Sequence, residues 1–408
     1  MSAPSHEVPS ITRSRALTGF WIVAGCFTAS TALGTFPTPL YRLYQHHGGF
    51  GEFVSTVVFA FYAIGILLAL IFAGHLSDLY GRRTMLLIAT GTSVLSAVTF
   101  CTSTSLAALL LGRLVCGVGT GLMASTATAY LSDLYERARP GRGTRGASIA
   151  STACNLGGLG AGAAISGIAA ATLPAPLFTP YLIALALLAV ALAAGFLLPE
   201  TMKPPESRPH YSIQPARIPA GHRRVFWSAA VTTALSFSIT GLFASQAPNL
   251  ITAAMGGGER EELSGTLALV VFIAAALAQI LLARGPARRQ VVVALGLLVP
   301  SFAIAVIGAA SHTLVLLLAG AALSGAAAGL CLTGAVAAAL EAAAPEHRSG
   351  TLKATFLVAY SGLVLPVMGF GSTVQWLGFG AALWIYLGVV AVTAVGILSV
   401  LAGERSTA

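Results

Sequence analysis

The chain has 408 residues, of which 56% are hydrophobic and only 9% are charged. Soluble proteins carry about 25% charged residues, so this composition excludes an ordinary water-soluble protein. The formal net charge of +9 is compatible with nucleic-acid binding, but the basic residues lie in short segments between apolar runs, where they act as a topology signal. We therefore predict an all-α polytopic membrane protein that binds no nucleic acid.

Apolar runs long enough to cross a bilayer recur along nearly the whole chain. A spanning helix needs about 20 mostly apolar residues, and hydropathy together with breaker residues predicts twelve of them. The first run is too long for a cleaved signal peptide and is interpreted as a permanent span. The predicted spans are 16–41, 52–77, 84–103, 106–132, 145–171, 178–198, 225–252, 263–283, 290–310, 313–340, 351–374 and 378–401.

The Lys and Arg residues of the loops predict the orientation of these spans. Of 22 basic residues, all except Arg42, Arg113 and Arg260 lie on the side of both chain ends. Basic residues accumulate in cytoplasmic loops. Both termini are therefore predicted to be cytoplasmic, in the inner membrane of a cell.

The loop between the second and third spans carries an acid and two arginines in the stretch GHLSDLYGRR at 74–83. Topology alone explains the arginines but not the acid, which works against the positive-inside signal. This stretch resembles the signature loop of the major facilitator superfamily, a Gly-x-Leu-x-Asp-x-x-Gly-Arg-Arg/Lys pattern. The matching residues are Gly74, Leu76, Asp78, Gly81, Arg82 and Arg83.

The resemblance implies a conformational latch at this loop. Asp78 would face the start of the eleventh span near residues 349–351, where free N–H groups and the helix dipole favour a carboxylate. Arg82 would pair with Asp78 and with Asp133 at the end of the fourth span. The latch would hold the two halves together on the cytoplasmic side.

The fourth span contains a charge, Arg113, within GRLVCGVGTG. A charge inside a span costs at least about 2.5 kcal/mol and is a functional-site hypothesis by default. The alternative is an arginine that snorkels to the outer interface. Arg113, Gly117 and Gly119 resemble the family's fourth-helix motif, in which the arginine is linked to proton coupling.

The fifth span contains the glycine-rich run NLGGLGAGAAISG. Gly158, Gly162 and Gly167 resemble the fifth-helix motif of twelve-span drug:proton antiporters of this superfamily. Ala163 stands in place of the motif's proline and Ser166 in place of a glycine. Plain packing of small residues against a neighbouring helix is the alternative interpretation.

A hydrophilic, Pro-rich and basic segment at 201–224 divides the spans six and six. We predict an N-terminal bundle at 1–200, this cytoplasmic linker, and a C-terminal bundle at 225–408. Trp21 and Trp227 hold corresponding places in the two halves, as do the arginine pairs 82–83 and 288–289. These matches favour the major facilitator fold, two six-helix bundles related by a pseudo-two-fold axis.

No Asp or Glu lies in the middle of a predicted span. Proton coupling would then depend on Arg113 and on Glu52 at the outer start of the second span, or the protein is a uniporter. Substrate contacts are expected near mid-membrane. The candidates are Tyr62, Asn155 and Tyr360, with Gln246 and Asn249 nearer the outer end of the seventh span.

Neither a Gly-x-x-x-x-Gly-Lys-Ser/Thr loop nor a catalytic or metal-binding cluster is visible in the spans, so no ATP-driven pump, enzyme or cofactor is expected. The resemblance implies a secondary active transporter that works by alternating access. We expect proton-coupled efflux of small, largely apolar compounds of the multidrug or antibiotic type. The alternative is a metabolite symporter, exporter or uniporter for a sugar, amino acid or similar solute. The expected partners are the lipid bilayer, a small-molecule substrate and protons, with a monomer as the usual family form.

Overall fold

The computed structural model describes residues 11–49, 51–73, 76–202, 216–219, 221–258 and 260–403. These residues form fourteen α-helices joined by short turns. The helices are α1 (Arg13–Leu33), α2 (Tyr41–Gly48), α3 (Glu52–Phe72), α4 (Leu76–Tyr80), α5 (Arg82–Thr102), α6 (Leu106–Ala138), α7 (Arg145–Thr172), α8 (Thr179–Gly195), α9 (Arg223–Met255), α10 (Glu261–Leu277), α11 (Ala287–Ala310), α12 (Leu314–Glu341), α13 (Arg348–Leu377) and α14 (Phe379–Gly403).

Twelve of these helices are assigned as membrane spans. Within the described residues, eleven are long and apolar enough to do so. The twelfth, α8, has 17 residues and is therefore roughly 26 Å long, near the lower limit for a span. The predicted twelve-span all-α fold is thus confirmed, with α2 and α4 as short helices outside the spans.

The predicted first span ends earlier than hydropathy indicates. Helix α1 stops at Leu33, and residues 34–40 form buried turns before α2 begins. Pro37 and Pro39 lie in these turns. Proline lacks an N–H and disfavours a helical conformation of the residue before it, so two prolines spaced by one residue end the helix.

The spans are arranged as two halves, α1–α8 and α9–α14. Helix α7 packs along α10 and α13 packs along α3, so two helix pairs form most of the interface between the halves. We call the side on which α1 begins and α14 ends the terminal face, and the opposite side the far face. Most of the predicted linker, residues 203–215 and 220, lies outside the described residues.

The hydrophobic cores show where the halves meet. One core belongs to the C-terminal half, with Phe302 and Tyr386 in edge-to-face contact at 5.9 Å. A second belongs to the N-terminal half near the terminal face and includes Met123. A third joins both halves toward the far face, where Phe59 of α3 and Phe272 of α10 belong to one cluster. Among the described residues, the shared core therefore closes the far face.

Candidate functional site

The signature loop forms an ionic cluster at the terminal face. Arg82 Nη1 lies 2.6 Å from Asp78 Oδ1, and its Nε lies 3.4 Å from Asp133 Oδ2. The Arg82 side chain is 13% exposed, whereas that of Asp78 is 54% exposed. Arg82 also donates to Ser77 Oγ at 2.7 Å. Gly74, the first residue of the motif, lies outside the described residues.

Glu200, which sequence reasoning missed, completes this cluster. Its carboxylate accepts hydrogen bonds from the backbone N–H groups of Arg82 and Arg83 at 3.0 and 3.1 Å. It also accepts from the N–H groups of Thr201 and Met202 at 3.0 and 3.1 Å. The acid therefore caps the start of α5, where free donors and the helix dipole favour negative charge.

Gly81 is required for this cap. Its φ of +91° is a conformation that other residues rarely adopt. A side chain at this position would also lie 2.6 Å from Glu200 Oε2. The signal for Glu200 in the sequence is an acid directly after the sixth span, on the side where basic residues accumulate.

The cluster connects four elements of the N-terminal half. Arg83 donates to the carbonyl of Phe196 at 2.7 Å, and Thr201 donates to Asp133 Oδ2 at 3.1 Å. The approach of Asp78 to residues 349–351 stays a prediction. A nearby contact between the halves is made by Lys353 of α13, whose Nζ donates to the carbonyl of Ile71 at 2.9 Å.

Arg113 is enclosed by protein, with 0% of its surface exposed, so it does not snorkel to the interface. Its Nη1 donates to the carbonyl of Gly34 at 2.6 Å, and its Nη2 donates to the Tyr41 hydroxyl. The guanidinium also lies 5.3 and 5.7 Å from the ring centroids of Tyr41 and Tyr62. The cation thus caps the broken end of the first span, where the helix dipole is negative.

No carboxylate balances Arg113 among the residues that the structure describes. The groups that accept from Arg113, a backbone carbonyl and a phenol hydroxyl, are uncharged groups. The Nε of Arg113 is buried without a hydrogen-bond partner. A positive charge without an ionic partner therefore lies in the N-terminal half.

Glu52, the second coupling candidate, begins α3 at the far face. One of its carboxylate oxygens is buried without a hydrogen-bond partner. Arg42 of α2 acts on it electrostatically and donates from Nη1 to Thr252 Oγ1 of α9 at 2.8 Å. Glu52 therefore lies beside a hydrogen bond that joins the two halves.

The glycines of the fourth span lie at helix crossings. At Gly117 the backbones of α6 and α3 touch, and a Cβ there would lie 2.9 Å from the Cα of Gly65. A Cβ at Gly119 would lie 2.9 Å from Ser93 Oγ. Both glycines thus serve close packing of α6.

The glycines of the fifth span face two different helices. Gly158 and Gly162 face α1, and a Cβ at Gly162 would lie 2.7 Å from the Cα of Ala32. Gly167 faces the C-terminal half, where its Cβ would lie 3.3 Å from the Cα of Gly265. Ser166, a departure from the motif, donates to the carbonyl of Phe36 at 2.6 Å. The run therefore packs α7 between α1 and α10.

A cavity of about 130 Å³ lies between the two halves. Three predicted substrate contacts, Tyr62, Asn155 and Tyr360, line its wall. Gln246 and Asn249 are buried further toward the far face, where Asn249 Nδ2 donates to Gln246 Oε1 at 2.9 Å. Among the described residues, the cavity is lined by uncharged side chains.

Aromatic rings and one further amide complete the cavity wall. Phe237 and Tyr360 are in edge-to-face contact at 5.0 Å, and Phe59 lies 6.4 Å from Tyr62 on the other half. Gln279, which sequence reasoning missed, lies on the π-helical turn Ala278–Leu282 that continues α10. Such turns are frequent at functional sites, and the signal in the sequence is a single amide in the run AAALAQILLA.

A membrane protein with two six-helix halves around a central cavity has the architecture of a secondary transporter. The chain belongs to the Major Facilitator Superfamily, whose family model matches residues 20–365.

Two solved structures illustrate the similarity of fold. The human organic anion transporter MFSD10 (TETRAN) is 20% identical with a TM-score of 0.66, and the match covers 96% of this chain and 100% of that one. A mutant of the nucleoside transporter NupG is 13% identical with a TM-score of 0.73, and the match covers 95% and 100% of the two chains. No curated protein sequence matches this chain.

Proposed function

We propose that the protein exports small, largely apolar compounds by alternating access of the central cavity, in exchange for protons. The cavity carries the proposal, because it lies between the halves and is walled by aromatic and other uncharged side chains. Such a wall desolvates an apolar compound at low cost and a multiply charged one at high cost. The proposed location is the inner membrane of a cell, with cytoplasmic termini and a monomeric chain.

Glu52 is the proposed site of proton binding. Its carboxylate lies at the far face beside Arg42, which holds α9 through Thr252. Protonation of Glu52 would remove its attraction for Arg42 and leave the guanidinium to Thr252. A proton taken up at the far face would thereby favour closure of that face.

The latch is proposed to act on the opposite face. Arg82 holds Asp78 against the N-terminal half, and Lys353 reaches Ile71 from the other half. Contact of Asp78 with the start of α13 would complete closure of the terminal face.

Asp78→Asn should then reduce transport strongly without preventing membrane insertion. Normal transport by this variant would remove the latch from the mechanism.

A metabolite transporter of the same fold is the second candidate. Ala163 and Ser166 depart from the antiporter motif, and this departure favours a metabolite transporter. Ser166 makes a hydrogen bond to the carbonyl of Phe36, which the glycine of the motif could not make. The two structural neighbours, an organic anion transporter and a nucleoside transporter, are compatible with it. The direction and coupling of transport distinguish the two candidates.

Purified protein in proteoliposomes, with an imposed pH gradient and a panel of labelled compounds, tests the proposal. Transport of at least one apolar compound should follow the gradient and run opposite to the protons. Glu52→Gln should abolish the gradient dependence, whereas Glu346→Gln, the same change at an exposed terminal-face site, should not. Equal movement with and without the gradient would exclude proton antiport.

A further inference from the structure

Two carboxamides face the central cavity without a hydrogen-bond partner. Asn155 of α7 and Gln279 of the π-helical turn both line it. Among the described residues, neither takes part in a side-chain hydrogen bond. By contrast, the amides of Gln246 and Asn249 outside this cavity are hydrogen-bonded to each other. Both side chains are partly exposed, so their donors and acceptors are available to a ligand in the cavity.

The two carboxamides belong to opposite halves. Asn155 lies in the N-terminal half and Gln279 in the C-terminal half, on helices that pack along each other. A ligand that binds both therefore joins the halves. A carboxamide presents one acceptor and two donors, so it matches a group that carries a donor and an acceptor side by side.

The rest of the wall defines the shape and charge of that ligand. Phe237 and Tyr360 from one half and Phe59 from the other provide aromatic surface, which suits a flat ring. The volume of about 130 Å³ is below the roughly 300–1,000 Å³ of drug-sized pockets. It fits a single substituted ring.

Arg113 lies next to residues of the cavity wall, so its charge affects which ligand charges the cavity accepts. Its guanidinium contacts Gly34 and Tyr62, and both of these residues line the cavity. Because no described carboxylate balances it, its charge opposes a cation in the cavity. A full anion would in turn lose its hydration among groups that are themselves uncharged.

We propose that the cavity binds small, uncharged, planar compounds with a carboxamide- or lactam-type edge, held by Asn155 and Gln279 from the two halves. This inference rests on the proposed function only in taking the central cavity as the transport site. It narrows the substrate class from apolar compounds in general to ring compounds with one paired donor and acceptor.

Benzamide and three relatives with the same ring test this class. Binding of radiolabelled benzamide to the purified full-length chain in detergent is measured, with competition by benzoate, benzamidinium and N,N-dimethylbenzamide. These compounds keep the ring and change the charge, the donors or the acceptor of its substituent, and N,N-dimethylbenzamide also adds two methyl groups. Benzamide should compete at least about tenfold better than each of the others, because a site built for hydrogen bonds rejects analogues that lack them.

Substitutions of Asn155 and Gln279 test whether these two amides cause the preference for benzamide. Gln279→Leu and Asn155→Leu should each weaken benzamide binding at least about tenfold and reduce its preference over N,N-dimethylbenzamide. Gln375→Leu, the same change at an exposed position of α13, should leave both unchanged. Full preference in Gln279→Leu or Asn155→Leu would overturn the assignment.

The outcomes separate this inference from transport itself. Equal competition by benzamidinium or benzoate, or no binding of benzamide at millimolar concentration, would overturn the substrate class. Because the assay needs no gradient, that result would leave gradient-driven transport of other compounds intact. Selective binding of benzamide without gradient-driven transport would support the substrate class and count against proton-coupled export.

Discussion

Two charged residues, Glu200 and Arg113, are stabilised mainly by helix ends rather than by opposite charges. Glu200 accepts N–H groups at the start of α5, and Arg113 donates to the last carbonyl of the broken first span. Each charge faces the helix end of opposite polarity. For Arg113, the end of the first helix thus takes the place of a carboxylate.

Glu200→Gln should destabilise the terminal-face cluster. The amide has one acceptor oxygen where the carboxylate has two, so at least one N–H group among Arg82, Arg83, Thr201 and Met202 loses its partner. We expect a loss of about 1–2 kcal/mol, measured as a lower melting temperature of the purified chain. Glu346→Gln at an exposed site is the matched control, and equal melting of the two variants would contradict the capping role.

Arg113→Met should separate stability from transport. A guanidinium without an ionic partner is costly to bury. Its replacement by a shorter apolar side chain should therefore offset most of the stability lost with its two hydrogen bonds, and the melting temperature should change little. The Gly34 carbonyl and the Tyr41 hydroxyl would lose their donor beside the cavity, and transport should fall at least about tenfold. Transport at the wild-type rate in proteoliposomes would show that this cap is dispensable.

At the scale of the elements, glycines decide how closely the helices approach. Gly162 lies against α1, whereas a side chain at Gly157 on the same helix would meet open space. Glycine is thus needed for close packing at position 162 but not at position 157. The sequence pattern alone does not distinguish the two, because it does not give the neighbour of each face.

Gly162→Ala and Gly157→Ala form a matched pair within α7. The first places a methyl group 2.7 Å from the Cα of Ala32 and should destabilise the protein by about 1–3 kcal/mol through overpacking. The second should be neutral or stabilise by about 0.5–1 kcal/mol, since alanine favours a helix over glycine. Thermal unfolding of both variants tests this, and equal melting temperatures would contradict the close crossing.

The fold could be predicted from the sequence because hydropathy sets the spans, whereas the orientation that the basic residues indicate stays a prediction. The end of the first span could not, since Pro37 and Pro39 turn the chain inside an apolar run. Arg113 was recognisable as a charge in a span. Glu200 was not recognised because its partners Arg82 and Arg83 are distant in the sequence. Gln279 was not recognised because the sequence does not show which face of its helix lines the cavity.

Depth in the membrane also proved insufficient to assign cavity residues. Gln246 and Asn249 were candidates by residue type and by position along their span. Asn249 donates to Gln246 at 2.9 Å. Which face of a helix turns toward the cavity follows from packing that the sequence does not show. Their role in substrate binding stays a prediction.

At the scale of the molecule, the two faces differ in how the halves are joined. A shared hydrophobic core and the hydrogen bond from Arg42 to Thr252 close the far face. On the terminal face the core of the N-terminal half contains none of the described residues of the other half, and Lys353 contacts Ile71. Alternating access then requires that the far-face contacts break while those of the terminal face strengthen.

Thr252→Val should shift this equilibrium toward opening of the far face. The variant keeps the shape of the side chain but removes the acceptor for Arg42, a hydrogen bond to a charged group of about 1.5–3 kcal/mol. A cysteine introduced by Ser245→Cys, at a site 2% exposed, should then react about tenfold faster with a membrane-impermeant maleimide added at the far face. Cys101→Ser removes the half-buried native thiol from the background.

Thr373→Val is the control for this measurement. Thr373 lies at the far end of α13, and among the described residues its hydroxyl bonds only within its own helix, to the carbonyl of Gly369 at 2.8 Å. It should therefore leave the labelling rate unchanged. If Thr252→Val labels no faster than this control, the hydrogen bond between Arg42 and Thr252 does not hold the halves together, and closure of the far face rests on the shared core alone.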